Sequence, residues 1–131
     1  NSLGVGTTSS GTAGEIRAID NITAYYSSDK KFKENIKNIP NALEKVDRIN
    51  GVYFDWTDEY IEQNGGEDGF FIKKHDVGLI AQEVEKVLPE IVKYQASDGV
   101  KSVSYIQLIA FLIAAVQELQ KQIDDINNRA E

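Results

Sequence analysis

Apolar residues recur near the end of the chain at steps of 4, 3, 4, 3, 4 and 3: Tyr105, Ile109, Leu112, Val116, Leu119, Ile123 and Ile126. This is a heptad seam, with Ile109, Val116 and Ile123 at one core position and the other four residues at the second. Beyond Glu118 the intervening positions are Gln, Lys, Asp and Asn. A narrow apolar seam on a polar rod predicts a long helix that associates with copies of itself. The mixture of Ile, Val and Leu departs from a strict dimer pattern and admits a trimer. Between Tyr105 and Val116 the residues Ile106, Leu108 and Ile113 add a second apolar stripe, by which the helix also lies on its own domain.

Upstream the pattern is shorter in range. Residues 1–14 are Gly, Ser or Thr at ten positions and predict a flexible segment, extended only if neighbouring chains hold it. Residues 15–20 and 21–26 alternate imperfectly and predict two short strands with a turn at Asp20-Asn21. Asn38-Ile39-Pro40-Asn41 reads as a helix entrance. Leu43, Val46 and Ile49 follow at helical spacing, with Gly51 as a left-handed cap. Residues 52–56 predict a strand. Residues 57–69 predict a polar loop with a helical turn near Tyr60, and Phe70-Phe71-Ile72 a returning strand. Val84, Val87 and Leu88 mark one face of a short helix that Pro89 stops. Residues 91–94 and 100–105 flank Asp98-Gly99 as a hairpin.

Composition narrows the function classes. The chain has 131 residues, room for one modest domain and an extension. A net charge of −7 argues against a general nucleic-acid role, since phosphate binding needs a basic surface. The absence of cysteine excludes a disulfide scaffold and a thiolate metal site. The longest apolar stretch, residues 106–116, falls short of the roughly 18 residues of a membrane span. No basic n-region opens the chain, so no signal peptide is expected. The first residue is not methionine, as in a segment of a longer protein. No metal constellation and no phosphate-loop pattern is legible, so no cofactor is expected. Glu83 and Glu85 are two apart and share no helix face.

The chemistry concentrates in Ser27-Ser28-Asp29-Lys30-Lys31-Phe32-Lys33-Glu34-Asn35-Ile36. A serine hydroxyl becomes a nucleophile when a neutral lysine amine takes its proton, and neighbouring positive charge favours the neutral amine. Lys30, Lys31, Lys33 and Lys37 supply that neighbourhood for one another. The bland alternative is a helix cap at Ser-Ser-Asp followed by a solvated lysine face.

Together these pieces resemble the endosialidase-type C-terminal intramolecular chaperone domain, a family that caps bacteriophage tail spikes and tail fibres. The resemblance rests on residues 27–36, Ala42-Leu43-Glu44-Lys45-Val46 and Asn50-Gly51-Val52-Tyr53-Phe54-Asp55-Trp56. It continues through Gly78-Leu79-Ile80-Ala81-Gln82-Glu83-Val84-Glu85, Leu88-Pro89-Glu90 and Ser102-Val103-Ser104-Tyr105. It implies a homotrimer that helps the preceding fibre or spike sequence fold and then cuts itself off as a serine-type autoprotease. By the family's register Ser28 is the nucleophile, Lys33 its partner, and Ser27–Ser28 the bond cut. Asp29, as a cap or beside Lys33, and His75 are supporting candidates.

Pattern and resemblance predict an α+β fold: a small mixed globular domain with a long C-terminal helix in a trimeric coiled coil, preceded by a short β-rich fibre end. The implied division is residues 1–27 for the fibre end, 28–104 for the globular chaperone and autoprotease, and 105–131 for the coiled-coil helix. The implied setting is a virion tail precursor assembled in the host bacterial cytoplasm, the chaperone part leaving after cleavage. Expected partners are two further copies and the chain's own fibre segment, with no nucleic acid and no membrane. Two other readings use the same residues: a trimerisation cap that never cuts, and a surface-binding module reaching out through residues 57–69.

Overall fold

The structure, a computed structural model, describes residues 2–9, 11, 14–18, 22, 27–94 and 98–130. It is mixed α/β, with six short strands in three two-stranded sheets, four α-helices and two 3-10 turns among those residues. The chain divides into two compact units, residues 1–34 with 53–76, and residues 35–52 with 77–131.

In the first unit, β1 (Leu3–Val5) pairs in parallel with β2 (Ile16–Ala18), in the register Leu3↔Ile16, Gly4↔Arg17 and Val5↔Ala18. The expectation of a flexible segment over residues 1–14 is therefore corrected at residues 3–5. Leu3 and Val5 alternate as a strand does, and a ladder to β2 satisfies their backbone groups without a second chain. The second strand expected at residues 21–26, and its turn, lie outside the described residues except for Ile22.

A 3-10 turn at Lys30–Phe32 follows, with Asp29 as its N-cap. After β3 (Val52–Asp55), Thr57 opens α1 (Asp58–Gln63) by accepting from the Tyr60 N–H at 3.2 Å. Trp56 stacks on Tyr60 at 4.1 Å between centroids, and its indole N–H donates to Asp76 at 3.0 Å. Phe70–Ile72 is not the strand expected. One carboxylate oxygen of Asp68 accepts from the N–H groups of Phe70, Phe71 and Ile72 at 2.9, 2.7 and 2.8 Å, which bends the backbone away from a ladder. The strand that pairs with β3 is β4 (His75–Gly78).

In the second unit, α2 (Ala42–Asp47) starts after Asn41, which is left-handed at φ 54° and offers no side-chain cap. The cap comes from far along the chain: the Glu118 carboxylate accepts from Ala42 N–H at 2.8 Å and Leu43 N–H at 3.1 Å. The helix ends before Arg48, and Gly51 is not left-handed, contrary to expectation. Asn35 and Asn41 take the left-handed conformations instead. Helix α3 (Ala81–Val87) stops before Pro89, which opens the second 3-10 turn. Strands β5 (Val92–Tyr94) and β6 (Lys101–Val103) form the expected antiparallel hairpin. Its Asp98 accepts from Val100 N–H at 2.9 Å, and Gly99 takes φ 71°.

The long helix α4 spans Tyr105–Ala130. The core of this unit is Val84, Leu88, Ile91 and Phe111, ringed by residues including Ile39, Val46, Val92 and Leu108. Helix α4 thus turns Leu108, Phe111 and Ala115 to its own domain. Ile106 and Ile113, expected on that inner stripe, are exposed. Every heptad residue from Tyr105 to Ile126 is exposed as well.

Candidate active site

The turn at Lys30–Phe32 positions the candidate dyad. Asp29 accepts through its side chain from Lys31 N–H at 3.0 Å, while Phe32 N–H donates to the Asp29 carbonyl and Lys33 N–H to the Lys30 carbonyl. This tight turn carries the chain around so that Lys33 faces back along it. Lys33 Nζ donates to Ser28 Oγ at 2.6 Å. On an α-helix five residues turn about 500° and the two side chains would diverge. Here a 3-10 turn with extended residues on either side at Asp29 and Lys33 brings them together.

Asp29 acts as a cap, and its carboxylate lies 3.9 Å from Lys31 Nζ, not beside Lys33. His75 takes Asp55 as its partner, Nδ1 to Oδ1 at 2.5 Å, with its side chain 84% exposed. Sequence reasoning missed Asp55. The only local signal was that strand pairing of residues 52–56 with the stretch after Lys74 would set the two side by side. Ser27 and Ser28 are both exposed. The bonds of the turn use the N–H groups of Lys31, Phe32 and Lys33, which leaves those of Asp29 and Lys30 without an acceptor among the described residues.

The site therefore holds a hydroxyl, an amine in hydrogen-bond contact with it, and two backbone donors one and two residues on. These are group types that acyl transfer to a hydroxyl uses. Among the described residues no group of three His, Asp or Glu side chains is placed to hold a metal ion. No described helix is long and apolar enough to cross a membrane.

Residues 28–93 match the family described as chaperone of endosialidase. The chain belongs to that family. The match begins at Ser28 itself and takes in both Ser28 and Lys33. The chain is also 37% identical over 122 residues to the long tail fiber protein Gp37 of Enterobacteria phage K3, covering 88% of this chain and 9% of the relative. The Gp37 of Enterobacteria phage T2 is 37% identical over 122 residues, again 88% of this chain and 8% of the relative. That of Salmonella phage S16 is 35% identical over 106 residues, 79% of this chain and 13% of the relative. The chain spans about a tenth of the length of these relatives. As a chaperone-of-endosialidase member it carries the mixed fold and long terminal helix expected from the resemblance.

Proposed function

We propose that this chain is the C-terminal chaperone segment of a phage tail fibre or spike, which trimerises, assists folding of the preceding fibre and releases itself by cutting Ser27–Ser28. The observation that carries the reading is the 2.6 Å hydrogen bond from Lys33 Nζ to Ser28 Oγ, at the residue where the family match begins. In this reading residues 1–27 are the fibre end, 28–104 the autoprotease and 105–131 the coiled-coil helix. The precursor assembles in the host bacterial cytoplasm and enters the virion tail.

The reaction follows from the groups in place. Lys33, as the neutral amine, takes the Ser28 hydroxyl proton. The oxygen attacks the Ser27 carbonyl carbon, and the N–H groups of Asp29 and Lys30 are the donors at hand for the oxyanion. The Ser27–Ser28 C–N bond breaks, and the proton passes from Lys33 to the departing nitrogen. An ester now joins the Ser27 acyl group to the Ser28 side chain. Water opens it, giving a carboxylate at Ser27 and a free amine at Ser28. A single turnover on its own chain needs no substrate pocket and gains fully from proximity.

Assembly supplies the control. Ser28, Lys33 and the apolar Phe32 between them are all exposed in the single chain. In the proposed assembly a second chain covers them and excludes water from the pair. The unpartnered heptad face of α4 supports a homotrimer as the means. Each seam side chain is worth roughly 1.5–3 kcal/mol when fully buried. Expression of the chain followed by intact-mass measurement tests the proposal. The expected result is two pieces split between Ser27 and Ser28, and loss of the cut in Ser28→Ala. A trimer that stays whole would establish the non-cutting cap instead.

A further inference from the structure

We propose that Arg17 and Asp68 form a latch that holds the fibre end on the chaperone after the Ser27–Ser28 bond is cut. The inference rests on the cleavage reading, because only a cut there makes these two residues belong to different pieces. Arg17 lies in β2, ten residues before that bond, and Asp68 forty residues after it.

The contact is built, not incidental. Arg17 Nη1 donates to Asp68 Oδ2 at 3.1 Å, and the guanidinium lies over the Phe71 ring at 5.0 Å from its centroid. Glu15 Oε1 stands 2.9 Å from Arg17 Nε as an ion pair whose N–H is not aimed at the oxygen. The Arg17 side chain is 11% exposed, so it is removed from most of the water that screens a surface pair. Asp68 divides its two oxygens between two tasks. Oδ1 gathers the N–H groups of Phe70, Phe71 and Ile72, and Oδ2 takes the arginine. The loop that grips the fibre end is thus shaped by the residue that grips it. A stacked, partly buried Arg–carboxylate contact contributes chiefly to slow dissociation.

The release of the fibre end tests this on the full chain. Cut protein is passed over a sizing column at low salt, and the rate at which the two pieces part is measured by mass in each fraction. Asp68→Asn keeps an oxygen for the three N–H groups but turns an amide nitrogen to Arg17. Arg17→Gln removes the guanidinium from the other side and leaves residues 28–131 unaltered, so a misfolded chaperone cannot mimic the result. Both variants are expected to cut as the parent does and to part about tenfold faster. Pieces of either variant that stay together as long as those of the parent would overturn the latch. If the parent chain does not cut, the cleavage reading fails by itself. The latch is then read in the Ser28→Ala chain carrying a specific protease site between residues 27 and 28. Co-elution after protease treatment, lost in Arg17→Gln, supports the latch, and immediate separation of the parent pieces overturns it.

Discussion

Lys33 donates a 2.6 Å hydrogen bond to Ser28 across one 3-10 turn, so the candidate pair is set by the six consecutive residues 28–33 and not by distant packing. Its geometry is present in the single chain. In the proposed autocleavage, what assembly changes is the environment of the pair. The pair is therefore testable separately from the trimer. Ser28→Ala, Lys33→Ala and Lys33→Arg are each expected to slow the cut at least about a hundredfold while the subunit count stays the same. The arginine variant is the informative one: it keeps a positive charge and hydrogen-bond donors but cannot lose its proton. Intact mass against time reads the cut, and light scattering reads the assembly. Cutting by Lys33→Arg at the parent rate would remove lysine from the mechanism.

Helix α4 has two apolar faces with different fates. Phe111 is buried in the domain core, whereas Val116 and Ile123 are exposed on the seam. Val116→Asp and Ile123→Asp should convert the assembly to monomers by sedimentation while the far-ultraviolet spectrum of the globular part persists. Phe111→Ala should instead cost about 3–5 kcal/mol of unfolding free energy. A seam variant that remains trimeric would show that some other surface holds the copies together.

Much of this was legible in the sequence because it depends on short-range pattern. The heptads announced α4, Asp98-Gly99 the hairpin, and Pro89 the end of α3. The spacing of Ser28 and Lys33 gained meaning only from the family register, since five residues on a helix would separate them. What stayed hidden depends on pairs far apart in the chain. Strand β1 forms because Ile16–Ala18 offers a ladder to a segment whose composition suggests none. Phe70–Ile72 fails as a strand because Asp68 takes its three N–H groups, a competition that β-propensity does not register. The inner stripe of α4 is Leu108, Phe111 and Ala115, where apolar spacing equally allowed Ile106 and Ile113.

The start of α2 depends on another such pair. Asn41 occupies the cap position but contributes no side-chain bond, and Glu118, more than seventy residues on, accepts from both Ala42 and Leu43. Removing it leaves two partly buried N–H groups without acceptors. Glu118→Ala should lower unfolding free energy by about 1–3 kcal/mol in urea titrations at fixed chain concentration. Glu118→Gln, which retains one acceptor oxygen, should lose less. Equal midpoints for the parent and the alanine variant would mean that water replaces the carboxylate without cost.

Acid should loosen the first unit selectively. The Asp68 carboxyl is held below its ordinary value of 3.8, first by the N–H of Ile72, then by those of Phe70 and Phe71 and by the charge of Arg17, against some desolvation. Glu15, on the far side of Arg17, is the other acidic group at the contact. Asp58 is likewise held below 3.8 by its hydrogen bond and charge contact with Lys74, whose own value is raised above 10.5 by the same hydrogen bond. A carboxylate depressed in the folded state binds fewer protons there than when unfolded. Its contribution is therefore complete above the ordinary carboxylate range and is lost as pH falls through the depressed value. The raised lysine works in the opposite sense, contributing fully below its ordinary value and losing that contribution as pH rises through the raised one. Stability is expected to be level from about pH 5 to pH 9 as far as these groups set it, and to fall below about pH 4. Urea midpoints across that range, at one chain concentration, check the plateau and the acid limb. In Asp68→Asn the acid limb should be shallower, because the group that takes up the proton is gone. An unaltered slope would assign the acid loss to other carboxylates and leave Asp68 without a part in it.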